Sequence, residues 1–173
     1  MTAAAQRNII RQLPQDFEAI FRTHYALVYR TALRITGNAL DAEDVLQTLF
    51  LRLLRRDRPP DLDTNPKGYL HRAAVNVALD VIKTRARSVS DDGIEKSVAG
   101  GEESSHIQEC VRRALAELSP KAAEIFVLRH VEGYDNAEIA RMIGTSRGVV
   151  AVLLFRARAR LKKSIRIQLG DQS

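Results

Sequence analysis

Apolar residues recur every three to four positions along most of this chain, and nowhere do they alternate with a spacing of two. Such spacing lines one side of a helix and cannot line one face of a strand. The predicted fold class is therefore all-α. Trp is absent and aromatics make up 5% of the residues, so the core must rest on Leu, Ile, Val and Ala, which suit helices. With 45% hydrophobic residues in 173, a packed core is available to one ordinary domain or two small ones.

Phe17, Ile20, Phe21, His24, Val28, Ala32 and Ile35 define a first amphipathic helix, closed by Gly37. A second starts at Asp41 as N-cap, with Glu43 and Asp44 in the first turn, where the helix dipole favours acids. Its apolar side is Ala42, Val45, Leu46, Leu49, Phe50, Leu53 and Leu54. Pro59 and Pro60 then force a loop. Asn65-Pro66, an N-cap followed by proline, opens a third helix that buries Tyr69, Leu70, Ala73, Val77 and Val81. Its basic end at Lys83, Arg85 and Arg87 suits a helix C-terminus but is denser than capping needs.

Residues 88–105 lose the periodicity, and Gly, Ser and acids take over. They read as a flexible linker between two small helical domains, residues 1–87 and 106–173. Two such units on a tether predict variable spacing. In the second unit Ser105 is the expected cap of a helix burying Ile107, Val111, Leu115 and Leu118. Ser119-Pro120 opens the next, with Ile125, Phe126, Leu128 and Val131, and Gly133 ends it. Asp135 and Glu138 have capping-box spacing for a short helix from Asn136 to Ile143. After the turn Gly144-Thr145-Ser146, a long helix runs to about Ile167.

Charge is distributed unevenly. Residues 1–50 are balanced, 51–87 carry nine basic against four acidic side chains, 88–105 one against five, and 106–173 twelve against seven. Two cationic surfaces separated by an acidic stretch point to a polyanion, nucleic acid above all. The final short helix, turn and long helix form a helix-turn-helix candidate, with Ile139, Ala140 and Ile143 as its apolar seam. Its second helix carries Arg147, Arg156, Arg158, Arg160, Lys162, Lys163 and Arg166 with no acid between 147 and 166. A merely solvated helix face would mix signs between neighbouring turns.

Catalysis has little support. His24, His71, His106 and His130 lack metal-ligand spacing, and Asp41, Glu43 and Asp44 have no companion groups for a magnesium-dependent nuclease. No catalytic residue, metal or cofactor is expected. Cys110 reads as a small buried hydrophobe, and a lone thiol fits a reducing cytoplasm. Met1 to Asp16 lack the apolar run of a signal peptide, and no membrane insertion is expected.

Three blocks in order resemble one family. DAEDVLQTLFLRLL (41–54), NPKGYLHRAAVNVALDVIKTRAR (65–87), and LAELSPKAAEIFVLRHVEGYDNAEIARMIGTSRGVV (115–150) followed by FRARARLK (155–162) are similar to the ECF-type (extracytoplasmic function) bacterial RNA polymerase sigma factors of the sigma-70 family. The resemblance implies a sigma factor that binds core RNA polymerase through its clamp helices and flap, recognises the minus-ten and minus-thirty-five promoter elements and directs initiation. Polymerase contact is implied for Asp44, Gln47, Thr48 and Leu51. Minus-ten contact is implied for Arg56, Arg58, Asn65, Asn76, Asp80, Lys83, Arg85 and Arg87. Asn76 either bonds a base or caps packed helices. Minus-thirty-five contact is implied for Thr145, Ser146, Arg147, Ala151, Arg156 and Arg158. The chain departs from the family pattern at Ala151 and Leu153, where a lysine and an arginine are usual. Base reading there leans on Arg147, on thymine methyl contacts or on groove shape. An anti-sigma protein and promoter DNA are the further partners implied, with a monomer when free and a cytoplasmic location. The alternative is a helix-turn-helix regulator acting as a dimer on duplex DNA.

Overall fold

The computed structural model describes residues 15–55, 60–92 and 102–170; among them are eight helices and no strand. They are α1 (Gln15–Thr36), α2 (Ala39–Arg55), α3 (Pro60–Thr64), α4 (Pro66–Asp92), α5 (Glu102–Ala116), α6 (Pro120–His130), α7 (Asn136–Ile143) and α8 (Arg147–Gln168). The first four form one helical domain and the last four another.

Local chemistry explains most boundaries. Gly37 ends α1 at φ +77°, a backbone that side chains other than glycine's adopt at a cost. The cap of α2 is Asn38 rather than Asp41. The Asn38 Oδ1 accepts the Asp41 amide at 2.7 Å, and its Nδ2 donates to the Asp41 carboxylate at 2.6 Å. Asp41 thus sits inside the first turn, where its charge still favours the dipole. Asn65 caps α4 by accepting the Gly68 amide at 3.0 Å. Ser119 accepts from the Ala122 amide, with Pro120 at the first helical position. Asp135 and Glu138 close a reciprocal capping box on α7, and Gly144 ends it at φ +68°. Ser146 caps α8.

Among the described residues two apolar clusters hold the helices together. Val28, Leu49, Phe50, Leu62, Leu70 and Ala74 fill the outer end of the first domain. Phe21 meets Phe50 edge-on at 4.7 Å there. The other cluster does not stop at the domain boundary. It joins Ala32, Ile35, Val45, Val75, Ala78 and Ile82 to Leu115, Leu118, Ala123, Leu128, Ile139, Val150, Leu154 and Leu161. Its fully buried Leu, Ile and Val side chains each contribute roughly 1.5–3 kcal/mol, and its alanines less. The 27-residue α4, about 40 Å long by its rise, packs on α1 and α2 and also on α5 and α6.

Several expectations are revised. The acidic stretch is shorter than 88–105, because α4 continues to Asp92 and α5 begins at Glu102, so Ser105 lies inside a helix rather than capping one. Residues 93–101 lie outside the described part. Leu54, Ile107 and Val131 are exposed, not buried. Leu54 and Ile107 have helical spacing but fall beyond the edge of the face their helix presents to the core, and Val131 is the C-cap, just past the end of α6. Where variable spacing of two units is expected, the described helices of both halves are in contact. Cys110 is buried, with its sulfur beside the His106 ring.

Candidate functional site

The expected site residues fall on three surfaces. The first is the outer side of α2. Leu40, Asp44, Gln47, Leu51 and Leu54 follow one another at intervals of three and four and are all exposed, while Ala42, Val45, Leu49 and Phe50 face inward. Thr48 lies half-buried at the edge. In this line Leu40 and Leu51, 76% and 47% exposed, flank polar Asp44 and Gln47. Nothing in the fold of α2 requires a glutamine there.

The second surface is α4 with the segment before it. Arg56 and Arg58 lie outside the described residues. Asn65 is exposed, with its Oδ1 accepting the Gly68 amide. Asp80 and Arg87 are exposed and Lys83 is half-buried. Arg85 donates to the Asp41 carboxylate at 3.0 Å, tying α4 to the start of α2. Asn76 faces the other domain, and its Nδ2 donates to the Glu124 Oε1 of α6 at 3.0 Å. Arg72, one turn earlier on α4, donates from Nε to the same oxygen and from Nη1 to the Met142 carbonyl at 3.2 Å. Glu124 is 6% exposed, a buried carboxylate whose Oε1 accepts from both donors.

A second buried carboxylate lies in the same seam. Glu132 accepts from Arg34 at 2.8 and 3.2 Å and from His71 Nε2. On its other side His71 Nδ1 is hydrogen-bonded to the Tyr134 hydroxyl at 2.6 Å. Burial opposes ionisation of Glu132, but the hydrogen bonds from His71 and Arg34 outweigh it and hold its carboxyl below the ordinary value. Burial, then the charges of Glu132 and Glu138, push the Tyr134 phenol up. Arg112 completes the seam by donating to the Ile35 carbonyl at 3.2 Å, passing over Gly37.

The third surface is the helix-turn-helix. Thr145 is half-buried in the turn, its amide bonded to the Ala140 carbonyl at 2.9 Å. Ser146, Arg147, Ala151, Arg156 and Arg158 are all exposed along α8. Ile139 and Ala140 of α7 meet Val150 and Leu154 of α8 in the shared core. Arg158 approaches His130 of α6 at 3.3 Å. Partial burial, then the charges of Arg158 and Arg129, push the His130 ring below its ordinary value.

The seam residues Arg34, His71, Arg72, Arg112, Glu124, Glu132 and Tyr134 were not among the expected site residues. One signal was available: Glu124 interrupts Ala122-Ala123-Glu124-Ile125 on a side that is otherwise apolar, and a carboxylate there requires a cationic partner. Among the described residues no helix is long and apolar enough to cross a membrane, and no group of three or more His, Cys, Asp or Glu is placed to hold a metal.

Comparison with known proteins accounts for both halves. Residues 20–88 match the model of sigma-70 region 2, and residues 108–161 that of sigma-70, region 4. The chain is 30% identical over 149 residues to the ECF RNA polymerase sigma factor SigM of Mycobacterium tuberculosis, covering 85% of this chain and 76% of that protein. It is 30% identical over 154 residues to the RNA polymerase sigma-E factor of Streptomyces coelicolor, covering 87% of this chain and 86% of that one. The fold is similar to that of the sigma factor RpoE, solved in complex with the anti-sigma factor NepR from Bartonella quintana. That likeness has a TM-score of 0.51 at 21% identity and covers 92% of this chain and all of that one. A region 2 match over the first domain displaces the alternative of a dimeric regulator. The chain belongs to the sigma-70 family as an ECF-type RNA polymerase sigma factor, a protein that directs transcription initiation.

Proposed function

We propose that the outer line of α2 is the surface that docks on the clamp helices of core polymerase, with Asp44, Gln47, Thr48 and Leu51 in the contact. The observation that carries this is the unbroken exposed run from Leu40 to Leu54, where apolar side chains stay in water although the opposite side of the same helix is fully packed. Apolar surface rimmed by polar groups is how a protein contact presents itself before its partner arrives. The C-terminal domain takes the flap. The protein acts by binding and not by catalysis, in the cytoplasm, as a monomer when free, and an anti-sigma protein covers these same surfaces when it is held inactive.

In this reading α4 and the segment before it take the minus-ten strand through Arg56, Arg58, Asn65, Asn76, Asp80, Lys83, Arg85 and Arg87. The helix-turn-helix takes the minus-thirty-five duplex through Thr145, Ser146, Arg147, Ala151, Arg156 and Arg158. Residues 1–87 and 106–173 then work as separate units joined by the acidic stretch. Arg72 and Asn76 are bonded to Glu124, so minus-ten engagement requires α6 to leave α4. Polymerase drives that separation by holding the two units apart.

The test is to mix the purified chain with bacterial core polymerase and measure co-elution and promoter-dependent transcription. Absence of co-elution in Gln47→Ala and Leu51→Asp variants is the expected result. A chain that leaves core polymerase unaltered and shifts palindromic duplexes alone overturns the proposal.

A further inference from the structure

The outward line of α8 is apolar through its first three turns. Val150, Leu154, Ala157 and Leu161 are buried. Directly opposite them, at intervals of three and four, stand Gly148, Val152, Phe155 and Ala159, all exposed, with Ala151 beside them. Phe155 is 73% exposed, the most exposed aromatic side chain among the described residues, and Val152 is 48% exposed. No hydrogen-bonding side chain interrupts this line. The polar groups lie at its borders: Arg147 at the N-terminus, Arg156 on one flank and Arg158 on the other, with Lys162, Lys163 and Arg166 beyond.

We propose that this line reads thymine 5-methyl groups in the minus-thirty-five duplex, with Phe155 and Val152 as the specificity-determining residues and Ala151 supporting them. The inference rests on the reading of α8 as the minus-thirty-five helix. Charge commits the occupant to DNA. An exposed apolar patch framed on every side by arginine and lysine, on a helix with no acid from 147 to 166, complements a groove whose floor is bases and whose walls are phosphates. Recognition of guanine or adenine in the major groove needs a bidentate side chain aimed at the base edge, and the outward line has none. The one feature of the major-groove edge that an apolar side chain distinguishes is the methyl group of thymine. Arg156 and Arg158, on the flanks, reach the phosphates and set register. The element read by this chain therefore carries thymines, on either strand, opposite Val152 and Phe155.

Replacing deoxythymidine by deoxyuridine removes that methyl while keeping base pairing and every donor and acceptor. Holoenzyme assembled from this chain and core polymerase is used to select duplexes from a pool randomised over the minus-thirty-five region, and the selected duplexes are then remade with single dT→dU exchanges. The expected result is enrichment of thymine at two or more positions. At each, removal of the methyl weakens binding by about three- to four-fold, and Phe155→Ala abolishes the dT/dU difference at its own position. Phe155 is exposed, so the variant folds. Selected sites without thymine, dU duplexes bound as well as dT, or a dT/dU difference that survives both Phe155→Ala and Val152→Ala each overturn the inference while leaving the sigma-factor function intact. So does a Phe155→Ala variant that loses core polymerase binding and keeps the dT/dU difference, which assigns the patch to a protein partner. Holoenzyme that selects no duplex at all overturns the inference together with the reading of α8.

Discussion

Replacing Glu124 by alanine tests the seam in two opposite directions. The carboxylate is buried and takes hydrogen bonds from Arg72 Nε and Asn76 Nδ2. Removing one partner of a fully buried charge pair costs roughly 3–5 kcal/mol. Here the Arg72 side chain is 38% exposed, so its guanidinium regains water when Glu124 is gone. That reduces the cost to about 1–2 kcal/mol of attraction between the halves. If the closed form dominates in the free chain, a ligand that needs α4 uncovered binds in proportion to the open fraction. Weakening the seam by about 1–2 kcal/mol raises that fraction, and apparent affinity for a single-stranded minus-ten oligonucleotide, by about five- to thirty-fold. Fluorescence anisotropy with a labelled oligonucleotide reads the gain, and urea denaturation of the same samples reads the drop in stability. Glu124→Gln, which keeps an acceptor for Asn76, should give a smaller gain. A Glu124→Ala protein that is destabilised yet binds the oligonucleotide no better refutes the claim that the seam and the minus-ten strand compete for Asn76.

Four further outcomes are expected. Gln47→Ala and Leu51→Asp change stability by no more than about 0.5 kcal/mol, since both side chains are exposed, but abolish co-elution with core polymerase; thermal melts and gel filtration read the two effects. The Glu132 carboxyl is held below its ordinary value of 4.5 by His71 and Arg34 against the pull of burial. Its contribution is therefore complete above that pH and is lost as pH falls through the lower folded value; denaturation midpoints between pH 7 and pH 3 should lose this dependence in Glu132→Gln. Asp135→Ala removes the acceptor of the Ala137 and Glu138 amides, so hydrogen exchange at those two amides should accelerate while α8 stays protected. Arg156→Ala with Arg158→Ala lowers the slope of log affinity against log salt for minus-thirty-five duplexes by about one for each phosphate left without its arginine.

What could be read from the sequence was local. The α7 capping box, the Ser119-Pro120 start of α6 and the Gly144 turn each depend on residues within four positions of one another, so spacing alone specifies them. The α2 start is ambiguous in the sequence because Asn38 and Asp41 are both good caps three residues apart, and only the direction of their mutual hydrogen bonds distinguishes them. Leu54 and Ile107 carry the right period but fall past the edge of the buried face, whose width depends on what packs against it. The seam was hidden for a stronger reason. Its pairs, Arg34 with Glu132, His71 with Tyr134 and Asn76 with Glu124, are separated by 98, 63 and 48 residues. Periodicity carries no information about which of many charged side chains will meet across such distances. The surfaces of α2 and α8 were legible as compositions, but the unbroken exposed lines along them required the burial pattern.

Gly37 links the two halves in a way that bears on how this chain can vary. A Cβ at that position would fall 1.9 Å from Arg112 Nη2. Arg112 can swing clear only by surrendering its bond to the Ile35 carbonyl. Asparagine, the side chain most at ease in left-handed backbone, would still let the first helix stop where it does, yet it would evict the guanidinium. Glycine there is thus a keyhole for a residue far downstream in the other domain. In descendants without it, Arg112 no longer fastens α5 to the end of α1, and one of the polar clasps holding the halves together is gone.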